Sequence, residues 1–266
     1  ETGGAHRRNE GGIMILEEII SATGARVAGL PDHFPVAGHD AVPKKSLFEA
    51  MVQRDGRNAI ISEIKFASPS RGIIREGQDP VGLARMMVSA GCSALSVITE
   101  PSFFKGDPGL IPAIRPHVDV PILRKDFIID ERQIPETRSL GADAVLLITA
   151  VLHERLPRFV EMAFQHSLEP IVEIHDAGEV VTAVDSGARL IGINNRNLKD
   201  FSIDLSTTKR LAPLVRDAGC RVVSESGFVW PYDVRSLRRE VDGFLIGSSI
   251  MSAKDPKKRL GGFVSA

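Results

Sequence analysis

The chain has 266 residues, 43% of them hydrophobic and 25% charged, an ordinary composition for a globular protein. Its 33 basic and 34 acidic residues balance, so no net field draws it to nucleic acid or to a membrane surface. No apolar run approaches the roughly 18 residues of a membrane span, and Cys92 and Cys220 form no CxxC pair, which points to a reducing cytoplasm rather than a disulfide framework.

Residues 1–12, ETGGAHRRNEGG, are polar and Gly-rich. They lack the apolar centre of a signal peptide and read as a disordered or appended tail. Residues 13–55 read as an N-terminal helical extension. A helix over 13–27 would carry Ile15, Leu16, Ile19 and Ile20 on one face. A Pro- and Gly-containing loop over 29–43 follows. Ser46-Leu47-Phe48-Glu49 has the pattern of a capping box, opening a second short helix to about Arg54.

From residue 56 to 266, short Val- and Ile-rich runs alternate with longer amphipathic segments. The runs are 59–64, 94–98, 121–123, 144–148, 170–174, 190–193, 221–223 and 243–246. Continuous apolar runs suit parallel strands buried on both faces. Gly91, Gly141, Gly187 and Gly219 stand where helices would end, and Asp79-Pro80 and Asp107-Pro108 where helices would open. The phrases AGCSALSV, LGADAVLL and SGARLIGI repeat one unit. Length alone also admits two smaller domains, and an open doubly wound sheet is the alternative topology. Eight strand–helix units nevertheless predict a closed (β/α)8 TIM barrel, one domain together with the N-terminal extension.

Polar residues recur where these strands should end: Glu63 and Lys65, Thr99 and Glu100, Arg124-Lys125-Asp126, Glu173, Asn194-Asn195-Arg196, Glu225-Ser226-Gly227, and Gly247-Ser248. In this fold strand C-termini face one mouth, where the active site lies. A single Lys or Glu there is usually a solvated rim residue. Glu63, Lys65, Lys125, Glu173 and Glu225 recur at equivalent places, and one ring would pair charges that are costly to bury alone. Ser226-Gly227 and Gly247-Ser248 follow the last two strands, the usual phosphate position. The seven histidines form no metal-binding pattern and no GxGxxG follows a strand, so neither a metal nor a dinucleotide cofactor is implied. His175 reads as a supporting loop residue rather than a catalyst. Phe103, Phe104 and Phe127 could pack loops or wall an aromatic substrate.

Six ordered motifs carry a resemblance: EIKFASPS from Glu63, LRKDFIID from Leu123, IVEIHD from Ile171, GINNRNL from Gly192, VSESG from Val223 and FLIGSS from Phe244. Over residues 46–251 the chain resembles indole-3-glycerol phosphate synthase, though Phe66 stands where many members carry Lys. The resemblance implies a lyase of tryptophan biosynthesis. It would convert 1-(2-carboxyphenylamino)-1-deoxyribulose 5-phosphate to indole-3-glycerol phosphate, CO2 and water, with no cofactor. It implies Lys125 as general acid, Glu173 as acid/base in dehydration, and Lys65 on the substrate carboxylate. Glu63 and Asn194 would orient these groups, and Glu225 and Ser226 complete the polar ring. Ser68 and Arg196 would meet anionic groups; the amides of Gly227, Gly247 and Ser248 the phosphate; and Phe104, Phe127 and Leu198 the aryl ring. The expected partner is the phosphorylated small molecule. A monomer is the default, with association with other tryptophan-pathway enzymes open. A related barrel isomerase or a non-catalytic barrel would lack these lysines or Glu173.

Overall fold

A computed structural model describes residues 6–34, 45–53, 55–198 and 200–266, with only the backbone of 6–14. Eight parallel strands close on themselves: β1 (Ile60–Ile64), β2 (Ala94–Ile98), β3 (Ile122–Lys125), β4 (Ala144–Ile148), β5 (Glu169–Ile174), β6 (Leu190–Asn194), β7 (Arg221–Glu225) and β8 (Gly243–Ile246). The pairing of β1 with β8, Ile61 level with Leu245, closes the barrel and excludes the open sheet. Alternation along each strand sorts the side chains. Ile60, Leu95, Val97, Val172 and Ile191 face outward to the surrounding helices, while Ile61, Leu123, Leu146, Ile171 and Leu245 fill the interior. Both sets are buried, which is why these strands read as unbroken apolar runs.

The helix-end signals hold. Gly91, Gly141, Gly187 and Gly219 all have positive φ just before a strand. Asp79 caps the helix Pro80–Ser89 by accepting from the amides of Val81 and Gly82. Asp107 differs: its carboxylate accepts from Gly109 N and caps a turn, and the helix starts at Leu110.

The two helices before β1 close opposite ends of the barrel. The first spans His6–Ala28, starting at His6 rather than at Ile13; residues 1–5 and most of the loop over 29–43 lie outside the described residues. It joins the mouth through Arg26, whose guanidinium is 2.8 Å from Asp126. The second spans only Leu47–Ala50, capped by Ser46 as its sequence predicts; Arg54, the expected end, lies outside the described residues. It plugs the other end. Leu47 and Met51 pack into the interior cluster. Glu169 accepts from Ser46 Oγ and Phe48 N, and Arg221 and Arg189 lie over the Phe48 ring.

Arg124, next to Lys125 on β3, points the other way. It is fully buried between barrel and helix Gln133–Ser139, 2.7 Å from Glu136, 3.0 Å from Asp126 and 3.1 Å from Thr99. Removing one member of such a buried ionic group costs about 3–5 kcal/mol, because the remaining charges lose their partner. Arg124→Met should therefore lower the urea midpoint by a corresponding amount with an unchanged slope. A loss under about 1 kcal/mol, the range of exposed pairs, would show that Arg26 alone compensates Asp126.

Candidate active site

The strand ends converge as the barrel's alternation requires. Glu63, Lys125, Glu173 and Glu225 each sit two residues past an inward apolar residue, and Asn194 two past Gly192, so all turn into the mouth. Register sets their heights: Asn194 is level with Glu225, and Lys125 with Ile98. Lys125 Nζ lies 3.0 Å from Glu225, 3.5 Å from Glu63 and 3.9 Å from Glu173. Lys65 Nζ lies 2.6 Å from the other oxygen of Glu63. Glu173 also takes a hydrogen bond from Asn194 and lies 3.1 Å from His175 Nε2.

Burial and charge act against each other here. Burial alone would loosen the Lys125 proton, yet the carboxyl groups of Glu225, Glu63 and Glu173 lift it well above the ordinary lysine range. Burial would raise Glu63, but Lys65 and Lys125 hold it below its usual value. Glu173 is likewise lowered, against burial, to about 2 by His175, Lys125 and Asn194. Glu225 goes the other way, to about 7. Burial and the neighbouring Glu173 push it up despite Lys125, and its Oε1 finds no hydrogen-bond partner among the described residues. The site thus holds a fixed ammonium among carboxyls of differing proton affinity, which is what acid–base catalysis needs.

Above this cluster opens a cavity of about 1210 Å³, part of it shared with solvent. Of the sequence-predicted residues, Lys65, Glu63, Lys125, Glu173, Asn194, Ser226, Phe104, Phe127, Arg196, Leu198, Gly227, Gly247 and Ser248 line it. Phe104 and Phe127 form a wall, with ring centroids 6.2 Å apart and tilted by 38°. Glu100 holds Phe104 in place by accepting from three amides of the helix Pro101–Phe104. Two predicted residues do not reach the cavity. Glu225 lies beneath Lys125, 3.0 Å from its Nζ. Ser68 is buried in a two-stranded ribbon with Gly72, and it is Arg71 at the ribbon's tip that lines the cavity.

Comparison with known proteins bears on the chemistry. A family model described as indole-3-glycerol phosphate synthase matches residues 16–262. Proteins of that name from Carboxydothermus hydrogenoformans and Campylobacter curvus are 43% and 41% identical to the chain. The alignments cover 93% and 92% of the chain and 98% and 97% of those relatives. The chain belongs to the indole-3-glycerol phosphate synthase family. It is thereby a carboxy-lyase of tryptophan biosynthesis. Two solved structures share the fold alone: a thiamine phosphate pyrophosphorylase from Pyrococcus furiosus (TM-score 0.57, 16% identity, 79% of this chain and 95% of that one) and a 3-hexulose-6-phosphate synthase (TM-score 0.62, 15% identity, 78% and 98%).

For a member of the indole-3-glycerol phosphate synthase family, the cavity adds residues that sequence reasoning missed. Ile15, Leu16 and Ile19 of the first helix line it. Their apolar stripe was visible, but not that it covers the mouth. Arg71 sits in Ser-Pro-Ser-Arg-Gly, a turn signal that could have placed it at a loop tip. It stands close enough to Arg196 to repel it: burial first, then Arg71, holds Arg196 below the ordinary arginine range, with Glu63 opposing. Two cations so close together at the cavity wall are suited to share one anion.

Two glycines make room for the acids. A Cβ on Gly192 would collide with Glu225 Oε1, and one on Gly247 with Glu63 Oε1. Gly247 thus serves Glu63 as well as any phosphate amide. Gly247→Ala should displace Glu63 and loosen both lysines. Misplacing a reacting group by about 1 Å can cost roughly 100-fold. Turnover should therefore fall by at least about tenfold alongside any rise in KM. A steady-state assay showing a change in KM alone would leave Gly247 with only a backbone role.

Proposed function

We propose that the chain performs the family's ring closure on 1-(2-carboxyphenylamino)-1-deoxyribulose 5-phosphate, with Lys125 as general acid. The observation that carries this reading is the Lys125 ammonium, held among three carboxylates at the foot of a cavity walled by Phe104 and Phe127. An aryl ring against those phenyl groups would stand beside a proton donor. As the carboxyl-bearing ring carbon attacks the ketone, the carbonyl oxygen gathers charge. Lys125 donates its proton there, and the C=O becomes a hydroxyl. A lysine raised above its ordinary range gives up its proton only to a very basic oxygen, and a developing alkoxide is one. The C–CO2 bond then breaks, and its electron pair restores the aromatic ring, so no electron sink is needed. Glu173, ionised, then takes a proton from the carbon next to nitrogen as the indole C=C forms, and passes it to the departing hydroxyl, which leaves as water.

The remaining residues bind. Lys65 faces the substrate carboxylate, with Arg196 as a further anion contact. Glu63 and Asn194 orient the lysines and the sugar hydroxyls. Gly227, Gly247 and Ser248 line the cavity where the short helix Ser248–Met251 begins, and their amides hold the phosphate. Gly227 is required there: its φ is +93°, and a Cβ would meet Ile203 and Leu205. Leu198 packs against the aryl group. Ser226 and Glu225 complete the ring, and Ser68 supports the loop that carries Arg71. The enzyme would work in the cytoplasm, consistent with two free cysteines and with no described helix long and apolar enough to cross a membrane. It would work as a monomer, the barrel and its helical extension forming one domain, with contacts to other tryptophan-pathway enzymes open to test.

Incubation with the substrate should produce indole fluorescence at a rate proportional to enzyme. In Lys125→Met, turnover should fall at least about 100-fold, the lower range of general acid catalysis, while KM stays within roughly tenfold because the phosphate grip is intact. A folded variant within a few-fold of the parent would move the acid role to Lys65.

A further inference from the structure

His175 is a buried titratable group that the proposed mechanism leaves unused. It follows the last residue of β5 and does not line the cavity. Its ring is nonetheless built into the site. Nε2 lies 3.1 Å from Glu173 Oε1, a charge contact rather than an aligned hydrogen bond, and Nδ1 lies 3.4 Å from Glu179 Oε2. The other oxygen of Glu173, Oε2, is the one that faces Lys125. The local sequence explains the arrangement. Asp176 Oδ1 accepts from the amides of Gly178 and Glu179, which starts the helix Gly178–Asp185 immediately. Glu179 falls in its first turn and folds back to accept from His175 N at 2.7 Å. Five consecutive residues thus form a holder for one imidazole.

We infer that His175 is a positioning residue for Glu173: held by Glu179, its ring stands in ion-pair contact with one oxygen of the Glu173 carboxylate and leaves the other turned to Lys125 and the substrate. This rests on the proposed role of Glu173 in dehydration. Side-chain exposure falls inward along the row, from 17% at Glu179 to 11% at His175 and 3% at Glu173, so Glu179 is the outer anchor. The groups around the imidazole are few. Glu173 and, beyond it, Asn194, Lys125 and Glu225 face it from β5, β6, β3 and β7; Glu179 faces it from the helix. The helix Thr149–Leu152, packed on β5 and on that helix, carries no charge. The charged Arg158 and Glu161 of the helix Leu156–Gln165 are exposed. Burial would favour neutral imidazole, but the two carboxylates outweigh it and raise His175 from 6.5 to about 10. His175 therefore stays cationic through neutral pH, and together with Lys125 it keeps Glu173 ionised against burial.

The sign of its loss follows. Without the imidazolium, Glu173 should protonate more readily, and the acid limb of the kcat profile should move to higher pH. In His175→Ala, turnover should fall by about 100-fold, as for a misplaced catalytic group. KM should stay within about threefold, and the acid limb should rise by about one pH unit or more, the usual effect of one close opposite charge. His175→Gln returns a neutral N–H toward Glu173. It should recover much of kcat without returning the acid limb to its place. An unshifted limb in His175→Ala, or a defect in KM alone, would overturn the inference. Nitrogen-15 NMR of the parent gives a readout free of turnover: the His175 ring should be doubly protonated at about pH 8, well above an ordinary histidine. A neutral ring there would also overturn it. Should the parent show the doubly protonated ring yet no synthase turnover, the clamp stands and the proposed function fails.

Discussion

Lys125 is an ammonium taken out of water at the centre of a hydrocarbon-lined barrel, and desolvating such an ion costs several kcal/mol even after relaxation. The carboxyl groups of Glu225, Glu63 and Glu173, 3.0, 3.5 and 3.9 Å away, together offset that and hold the proton in place. Each of them must then be held in turn. Glu63 shares its second oxygen with Lys65. Glu173 has the His175 ring against one oxygen and takes a hydrogen bond from Asn194. Glu225, deepest of the three, has a free oxygen and answers by binding a proton more tightly. The two largest demands for space, at Glu63 and Glu225, are met by Gly247, just past the end of β8, and by Gly192 on β6. A barrel can meet such nested requirements because every strand end contributes to one ring.

β3 shows how the same backbone serves stability and chemistry. Consecutive residues of a strand point to opposite faces, so Arg124 and Lys125 enter separate environments. Arg124 ties the barrel wall to the helix behind it and, through Asp126, to Arg26 on the first helix. Lys125 enters the mouth. Asp126 lines the cavity while anchoring that helix, whose Ile15, Leu16 and Ile19 cover the site. The lid over the cavity and the ion pairs behind β3 are therefore one mechanical unit.

The barrel was legible because its strands are buried on both faces and so read as apolar runs. The boundaries failed in an informative place. The runs at 121–123, 190–193 and 221–223 stopped short of the observed ends at Lys125, Asn194 and Glu225. An apolar criterion ends a strand where the polar residues begin, and here those residues are the last inward positions of the strands themselves. The second helix was read too long for a related reason: it is a single capped turn whose Leu47 and Met51 are fixed by the barrel floor, not by helical periodicity. Arg71 and the lining role of the first helix depend on which segments fold over the mouth, and no local pattern encodes that.

The division between wall and mouth also explains why fold likeness says little about reaction. A thiamine phosphate pyrophosphorylase and a 3-hexulose-6-phosphate synthase share this barrel at 16% and 15% identity. The outward and floor-facing residues need only fill volume, so many sequences satisfy them. The mouth is more demanding. Lys125 without its carboxylates would hold its proton less tightly, and Glu225 and Glu63 would not fit without Gly192 and Gly247. Lys65 and His175 must then carry charges of the right sign on the far oxygens. A substitution at any one of these positions leaves an uncompensated charge or a collision, so the constellation is kept or lost largely as a whole.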